Sequence, residues 1–293
     1  MSAPSSSLAR EIEVAVDAAR RAAVAVTAIY ATEFGVSFKD AAQDDPVTAA
    51  DRDANAIIVE ALRRAFPGDA IVAEESPIPH DFQRARRCWF VDPLDGTKEF
   101  VARNGEFCVM IGLAIDGRAA LGVVAVPALA PPSGGAPGFV LVGDVASRTC
   151  RLFHGDAPPV DARVSSETQT ANTTIVVSRS RRSPRIDAFF ARLGGPRELP
   201  CGSVGVKVAQ LVLGRADAYL HPPSARAHEG PKHWDTCAPE AIVIAAGGAF
   251  TNIDGAAIDY SSSDVVHDSG LVVSNGVLHP ALLAAVHAEG ERR

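Results

Sequence analysis

The hexapeptide Asp92-Pro93-Leu94-Asp95-Gly96-Thr97, directly after the apolar run 88–91, constrains this chain more than any other stretch. The run reads as a buried strand, so two acids lie at its C-terminal end with a proline between them. Proline restricts the turn and lets both carboxylates converge on one point. Gly96 permits a close backbone approach, and the N–H groups of Gly96 and Thr97 open a short helix there, a position suited to phosphate. The dipeptide Asp-Gly alone reads equally as a common turn.

Three further pieces bear on those acids. Glu74-Glu75-Ser76 ends the preceding apolar run, 70–73. Adjacent acids are usually solvated charge, but beside a second strand-end pair they repel unless a cation neutralises them. Oxygen donors without a His/Cys cluster fit Mg²⁺ rather than zinc. Trp234-Asp235-Thr236-Cys237-Ala238-Pro239-Glu240 puts Asp235 at a helix start, where it reads both as an N-cap and as a ligand. Asp45-Pro46-Val47-Thr48-Ala49-Ala50-Asp51 leaves Asp51 with the same choice, since it can simply cap the helix that follows.

Composition sets the class. The 293 residues are 47 % hydrophobic and 22 % charged, as in an ordinary globular protein, and only 6 % aromatic, so the core must use small side chains. A net charge of −7 without a basic run argues against duplex nucleic acid as a partner. A small phosphorylated substrate is compatible if metal ions supply positive charge. Five scattered cysteines with no C-x-x-C pair suggest reduced thiols and a cytoplasmic protein. Residues 1–21 lack an apolar signal core and no run is long enough to cross a bilayer, so no membrane partner is expected.

The periodicity predicts a helix over 7–30, with Ile12, Ala15, Val16, Ala19 and Ala22 on one face. A second helix over 51–65 stops at Phe66-Pro67-Gly68-Asp69. Strands follow at 70–73 and 88–91, then at 107–115 and 119–126 around the hairpin pair Asp116-Gly117. A Pro/Gly loop occupies 131–138. Beyond it come a strand at 174–177, helices at 183–193 and 206–213, a strand at 217–220, and helices at 236–246 and 280–289. The fold class expected is α+β: N-terminal helices plus a largely antiparallel sheet, followed by a smaller α/β lobe. The lobes are 1–163, with most of the acids, and 164–293, with Asp235.

Together the four acidic pieces resemble the inositol monophosphatase superfamily, and the resemblance runs from about residue 45 to 260. Gly96-Thr97-Lys98-Glu99-Phe100, Gly214-Arg215-Ala216-Asp217-Ala218-Tyr219-Leu220 and Lys232-His233 before Trp234 are similar to its 3′(2′),5′-bisphosphate nucleotidase branch. The resemblance implies a layered αβαβα sandwich and a Mg²⁺-dependent, lithium-sensitive phosphatase, monomeric or homodimeric. It would cleave the 3′-phosphate of adenosine 3′,5′-bisphosphate, and of 3′-phosphoadenylyl sulfate, by metal-activated water. Glu74 (rather than Glu75), Asp92, Asp95, Asp235 and the Leu94 carbonyl would hold two or three Mg²⁺. Thr97 with Asp51 would position the water, with Glu74 as a further catalytic residue. Asp95, Gly96, Thr97, Ser178, Lys207 and Asp235 would contact substrate, Lys207 facing the second phosphate.

The segments 202–207 and 222–232 depart from the family pattern, which bears on the nucleoside contacts. Two readings compete: the same chemistry on inositol or another small phosphate monoester, and a non-catalytic sensor of metal or phosphate. The acids are spaced D-x-x-D, not the D-x-D of an aspartyl-nucleophile phosphatase, and no G-x-x-x-x-G-K-[ST] loop is present.

Overall fold

The computed structural model describes residues 8–39, 46–179, 184–224 and 227–288. Asp45, Ser180 and the expected helix ends at 183 and 289 lie outside them. Helix α1 (Ala9–Tyr30) buries Ala15, Ala18, Ala19, Ala22 and Val26, while Ile12 and Val16 are only half-buried at the edge of that stripe. A ribbon of β1 (Val36–Phe38) and β2 (Pro46–Thr48) leads into α2 (Ala49–Ala65). This helix starts two residues before the expected Asp51, because Thr48 is its N-cap and accepts the Ala50 N–H.

Strands β3 (Ala70–Ala73) and β4 (Arg87–Asp95) pair in parallel. After the short α3 (Thr97–Val101) come β5 (Cys108–Ile115), β6 (Arg118–Val126), β7 (Phe139–Asp144), β8 (Thr149–Phe153) and β9 (Val160–Asp161), each antiparallel to its predecessor. Asp116 and Gly117 join β5 to β6 with φ of 51° and 74°, the left-handed pair a tight hairpin requires. Strand β4 does not end at Val91 as expected. It runs on to Asp95, its register against β5 shifting between Asp92 and Asp95, where Pro93 has no N–H to give.

The rest of the chain supplies β10 (Thr174–Ser178), α4 (Pro184–Arg192), β11 (Arg197–Cys201), α5 (Val204–Val212) and β12 (Ala218–His221). Then follow α6 (His233–Ala245), β13 (Ala249–Asn252), β14 (Leu271–Ser274) and α7 (His279–His287). Its sheet has the order β11-β10-β12-β14-β13, parallel on the β11 side and antiparallel on the β13 side.

Five layers result. Helices α1 and α2 cover one face of the seven-stranded sheet, and α5 and α6 fill the space between the sheets. Helices α4 and α7 cover the outer face of the small sheet through Phe189, Phe190 and Leu282. This is an αβαβα sandwich. No described helix is long and apolar enough to cross a membrane.

One feature of the large sheet places the site. Gly112, Gly122 and Gly143 are cross-strand partners on β5, β6 and β7. A Cβ at Gly112 would lie 2.6 Å from the Ala238 nitrogen, and one at Gly143 would lie 2.6 Å from Ile242 Cα. A Cβ at Gly122 would collide with the Ala238 carbonyl. The ladder of hydrogens lets α6 lie directly on the sheet backbone, which fixes the helix start that bears Asp235.

Candidate active site

Because β3 and β4 are parallel, their C-terminal ends deliver side chains to one edge. The Glu74 N–H closes this edge onto the Val91 carbonyl at 3.0 Å. Asp92 Oδ1 accepts the Leu94 N–H at 2.9 Å, which folds the turn around Pro93. Gly96 then takes φ 92°, a left-handed conformation, and a Cβ there would meet the Glu106 carbonyl at 2.7 Å. Gly96 caps α3, so Thr97 begins that helix.

Asp235 comes from the opposite side. It is the third residue of α6, not its N-cap as the sequence suggested, and its Oδ2 accepts the N–H of the cap, Lys232, at 2.7 Å. Asp51 is likewise third in α2. Its Oδ2 takes the Thr48 N–H and hydroxyl, both at 2.7 Å, and its Oδ1 accepts the Thr97 hydroxyl at 3.1 Å. Asp51 is buried behind Thr97 rather than on the pocket wall.

One pocket of about 240 Å³ is lined by Glu74, Asp92, Leu94, Asp95, Gly96, Thr97, Ser178, Lys207 and Asp235. It thus gathers every expected site residue except Asp51. Glu75 is off this wall and pairs with Lys39. Lys207 is buried, with Nζ 5.1 Å from the centroid of the Tyr219 ring. Lys98, Ser203, His221 and Lys232 also line the pocket and were not singled out in the sequence as substrate or metal contacts. Ser203 and His221 arrive from loops and strands of the second sheet, and no local pattern marks them.

The electrostatics show what the pocket needs. Burial drives the Asp92 carboxyl well above its ordinary range, and the charges of Glu74, Asp95 and Asp235 push it further. Asp235 is raised by burial and by Asp95, against the nearby Lys232. Glu74 is raised by burial, and Lys39 opposes this. Asp95 is raised by burial, opposed by hydrogen bonds from Ser203 and Gly205 and by the charge of Lys207. Such a cluster is unstable as four anions without added positive charge.

Lys39 already supplies some, with Nζ 2.8 Å from Glu74 Oε1. Among the described residues, no three His, Cys, Asp or Glu groups are yet gathered about one point. The donor set is hard oxygen throughout and suits Mg²⁺.

The match to the Inositol monophosphatase family covers residues 7–291. The chain belongs to the inositol monophosphatase family. Among curated relatives, the 3′(2′),5′-bisphosphate nucleotidase CysQ of Salmonella typhimurium is 32 % identical over 87 % of this chain and 96 % of its own length. CysQ of Bacteroides thetaiotaomicron is 26 % identical, with a TM-score of 0.72 over 91 % of this chain and 97 % of that one. An inositol monophosphatase from Anabaena (Nostoc) shares the fold at a TM-score of 0.72, with 24 % identity over 96 % of both chains. The five-layer sandwich is therefore the fold of this phosphatase family, whose members depend on metal ions.

Proposed function

We propose that this chain hydrolyses the 3′-phosphate of adenosine 3′,5′-bisphosphate to AMP and phosphate, with Mg²⁺ as cofactor. The observation that carries the reading is the pairing of Thr97 with the buried Asp51 at the wall where Glu74, Asp92, Asp95 and Asp235 meet. A metal or phosphate sensor has no need of that pair. The nucleotidase name of the Salmonella relative supports the choice of substrate.

Glu74, Asp92, Asp95, Asp235 and the Leu94 carbonyl would hold two or three ions. Mg²⁺, when bound, supplies Lewis acidity to water and to the phosphate oxygens. Asp51 fixes the Thr97 proton, which turns the threonine oxygen toward a water aimed at phosphorus. The backbone at Gly96 and Thr97 faces the reacting phosphate. Across the pocket, Lys207 and Ser178 face the nucleotide, the lysine opposite its second phosphate. The five cysteines, all free and buried, support a reducing, cytoplasmic setting.

The test is phosphate release from adenosine 3′,5′-bisphosphate and from inositol 1-phosphate, with Mg²⁺ and with a chelator. Release is expected from the nucleotide in Mg²⁺ only. A rate on the inositol ester more than about tenfold higher overturns the substrate assignment. Asp95→Asn is expected to abolish turnover while the protein stays folded, and unchanged activity would refute the site.

A further inference from the structure

Residues 202–207 stood out in the sequence for Lys207, but the start of this segment does something else. The Ser203 hydroxyl donates to Asp95 Oδ2 at 2.5 Å, and the Gly205 N–H donates to the same oxygen at 2.7 Å. Cys108 Sγ approaches it at 3.7 Å. All three donors choose Oδ2, so Oδ1 is the atom Asp95 can offer to the pocket it lines. Ser203 and Asp95 are both buried.

The segment that brings Ser203 packs too closely for a side chain at either of its glycines. A Cβ at Gly205 would lie 2.5 Å from Cys108 Sγ and 2.7 Å from Met110 Sδ. Gly202 lies flush against the Glu99 side chain, where a Cβ would collide. The Gly202 N–H donates to Glu106 Oε2 at 2.7 Å, and Arg179 Nε holds the same oxygen at 2.8 Å. Asp95, Cys108, Glu99 and Glu106 belong to the large sheet and its connections; Arg179 and the segment 202–205, which opens α5, lie on the side of the small one. A chain of contacts from Arg179 through Glu106 to Gly202 therefore sets where Ser203 meets Asp95 across the junction.

We propose that Ser203 is a positioning residue of the metal centre: with the Gly205 N–H it occupies Asp95 Oδ2, so that Asp95 meets a cation through Oδ1 alone. The inference rests on Asp95 being a metal ligand. Ser203 acts through Asp95 and is not itself catalytic. Partners of this kind orient metal ligands, and their loss typically weakens metal affinity 10- to 100-fold.

The obvious variant has a side effect, because Ser203 also caps α5 by accepting the Val206 N–H at 3.1 Å. Ala costs a cap far more than Gly does. Ser203→Ala and Ser203→Gly are therefore compared by titrating the metal-stripped protein with Mn²⁺ and following free Mn²⁺ by EPR, below each variant's unfolding transition. Both are expected to bind Mn²⁺ about tenfold or more weakly, and to raise the metal concentration for half-maximal phosphate release in step, with kcat at saturating metal within about threefold of the parent. Mn²⁺ affinity within about twofold of the parent in Ser203→Gly overturns the proposal. So does a loss confined to Ser203→Ala that follows its melting temperature. If the parent protein releases no phosphate from any ester, the phosphatase reading fails, and the Mn²⁺ titration still decides the role of Ser203.

Discussion

Thr97 has one hydroxyl proton and two acceptors in reach, Asp51 Oδ1 and the Leu94 carbonyl, each at 3.1 Å. The bond to Asp51 leaves both lone pairs of the Leu94 carbonyl to a cation, whereas the bond to Leu94 takes one of them. Thr97→Val is expected to lower kcat by about 10²-fold or more with little change in thermal stability, a split that steady-state kinetics and a melting curve together check. A second residue argues through stability alone. Glu240, buried on α6 beneath Tyr260, accepts the tyrosine hydroxyl at 2.6 Å, and burial pushes its carboxyl up to about 7. The folded state thus favours the protonated acid. Its stabilising effect is complete below the ordinary value of 4.5 and is lost as pH rises through about 7. Glu240→Gln should therefore gain stability over the parent between pH 5 and pH 8, by up to roughly 3 kcal/mol, in urea unfolding at both pH values. At this scale the hexapeptide 92–97 was legible because its chemistry is local. Lys39 against Glu74, and Ser203 against Asp95, were not, since each pair meets only through the fold.

At the scale of elements, long amphipathic segments read well because small residues recur at helical spacing, as along α1. Helix starts read less well. Asp51 and Asp235 look like N-caps, but each stands three residues in and bonds back to the cap's N–H, which leaves a carboxylate oxygen for another partner. The short strands β11, β13 and β14 escaped notice because tertiary pairing, not local alternation, defines them; β11 even contains Pro200. Nothing in the sequence announced that Gly112, Gly122 and Gly143 would align as one ladder, since they lie on three strands. That ladder makes a sharp prediction. Gly122→Ala has nowhere to put its methyl, so α6 must lift, at a cost of about 1–3 kcal/mol or more. Because α6 carries Asp235, activity should fall along with the melting temperature, whereas Ala at the exposed Gly68, which has open space around its Cα, should change neither.

At the scale of the molecule, the large sheet ends at Asp161 and the small one begins at Thr174. We propose lobes at 1–163 and 164–293 that are architectural rather than independent. Helix α6 belongs to the second by sequence yet packs on the first sheet, and one core cluster runs from Phe90 through Ile242 to Val273. Both sides also contribute acids to the pocket: Glu74, Asp92 and Asp95 from one, Asp235 from the other. In the absence of a cation these acids repel across the junction, so metal binding should tighten it. The parent protein is expected to unfold in a single transition. Saturating Mg²⁺, near a hundredfold above its dissociation constant, should add about 2.7 kcal/mol and raise the midpoint by roughly 4–5 °C, with a chelator reversing the gain. Asp235→Asn removes one arm of the cluster and part of the repulsion. Without metal its midpoint should equal or exceed that of the parent, and with Mg²⁺ its gain should shrink. Calorimetry of both proteins with and without the ion checks this, and an equal Mg²⁺ shift in the two would mean that Asp235 holds no cation.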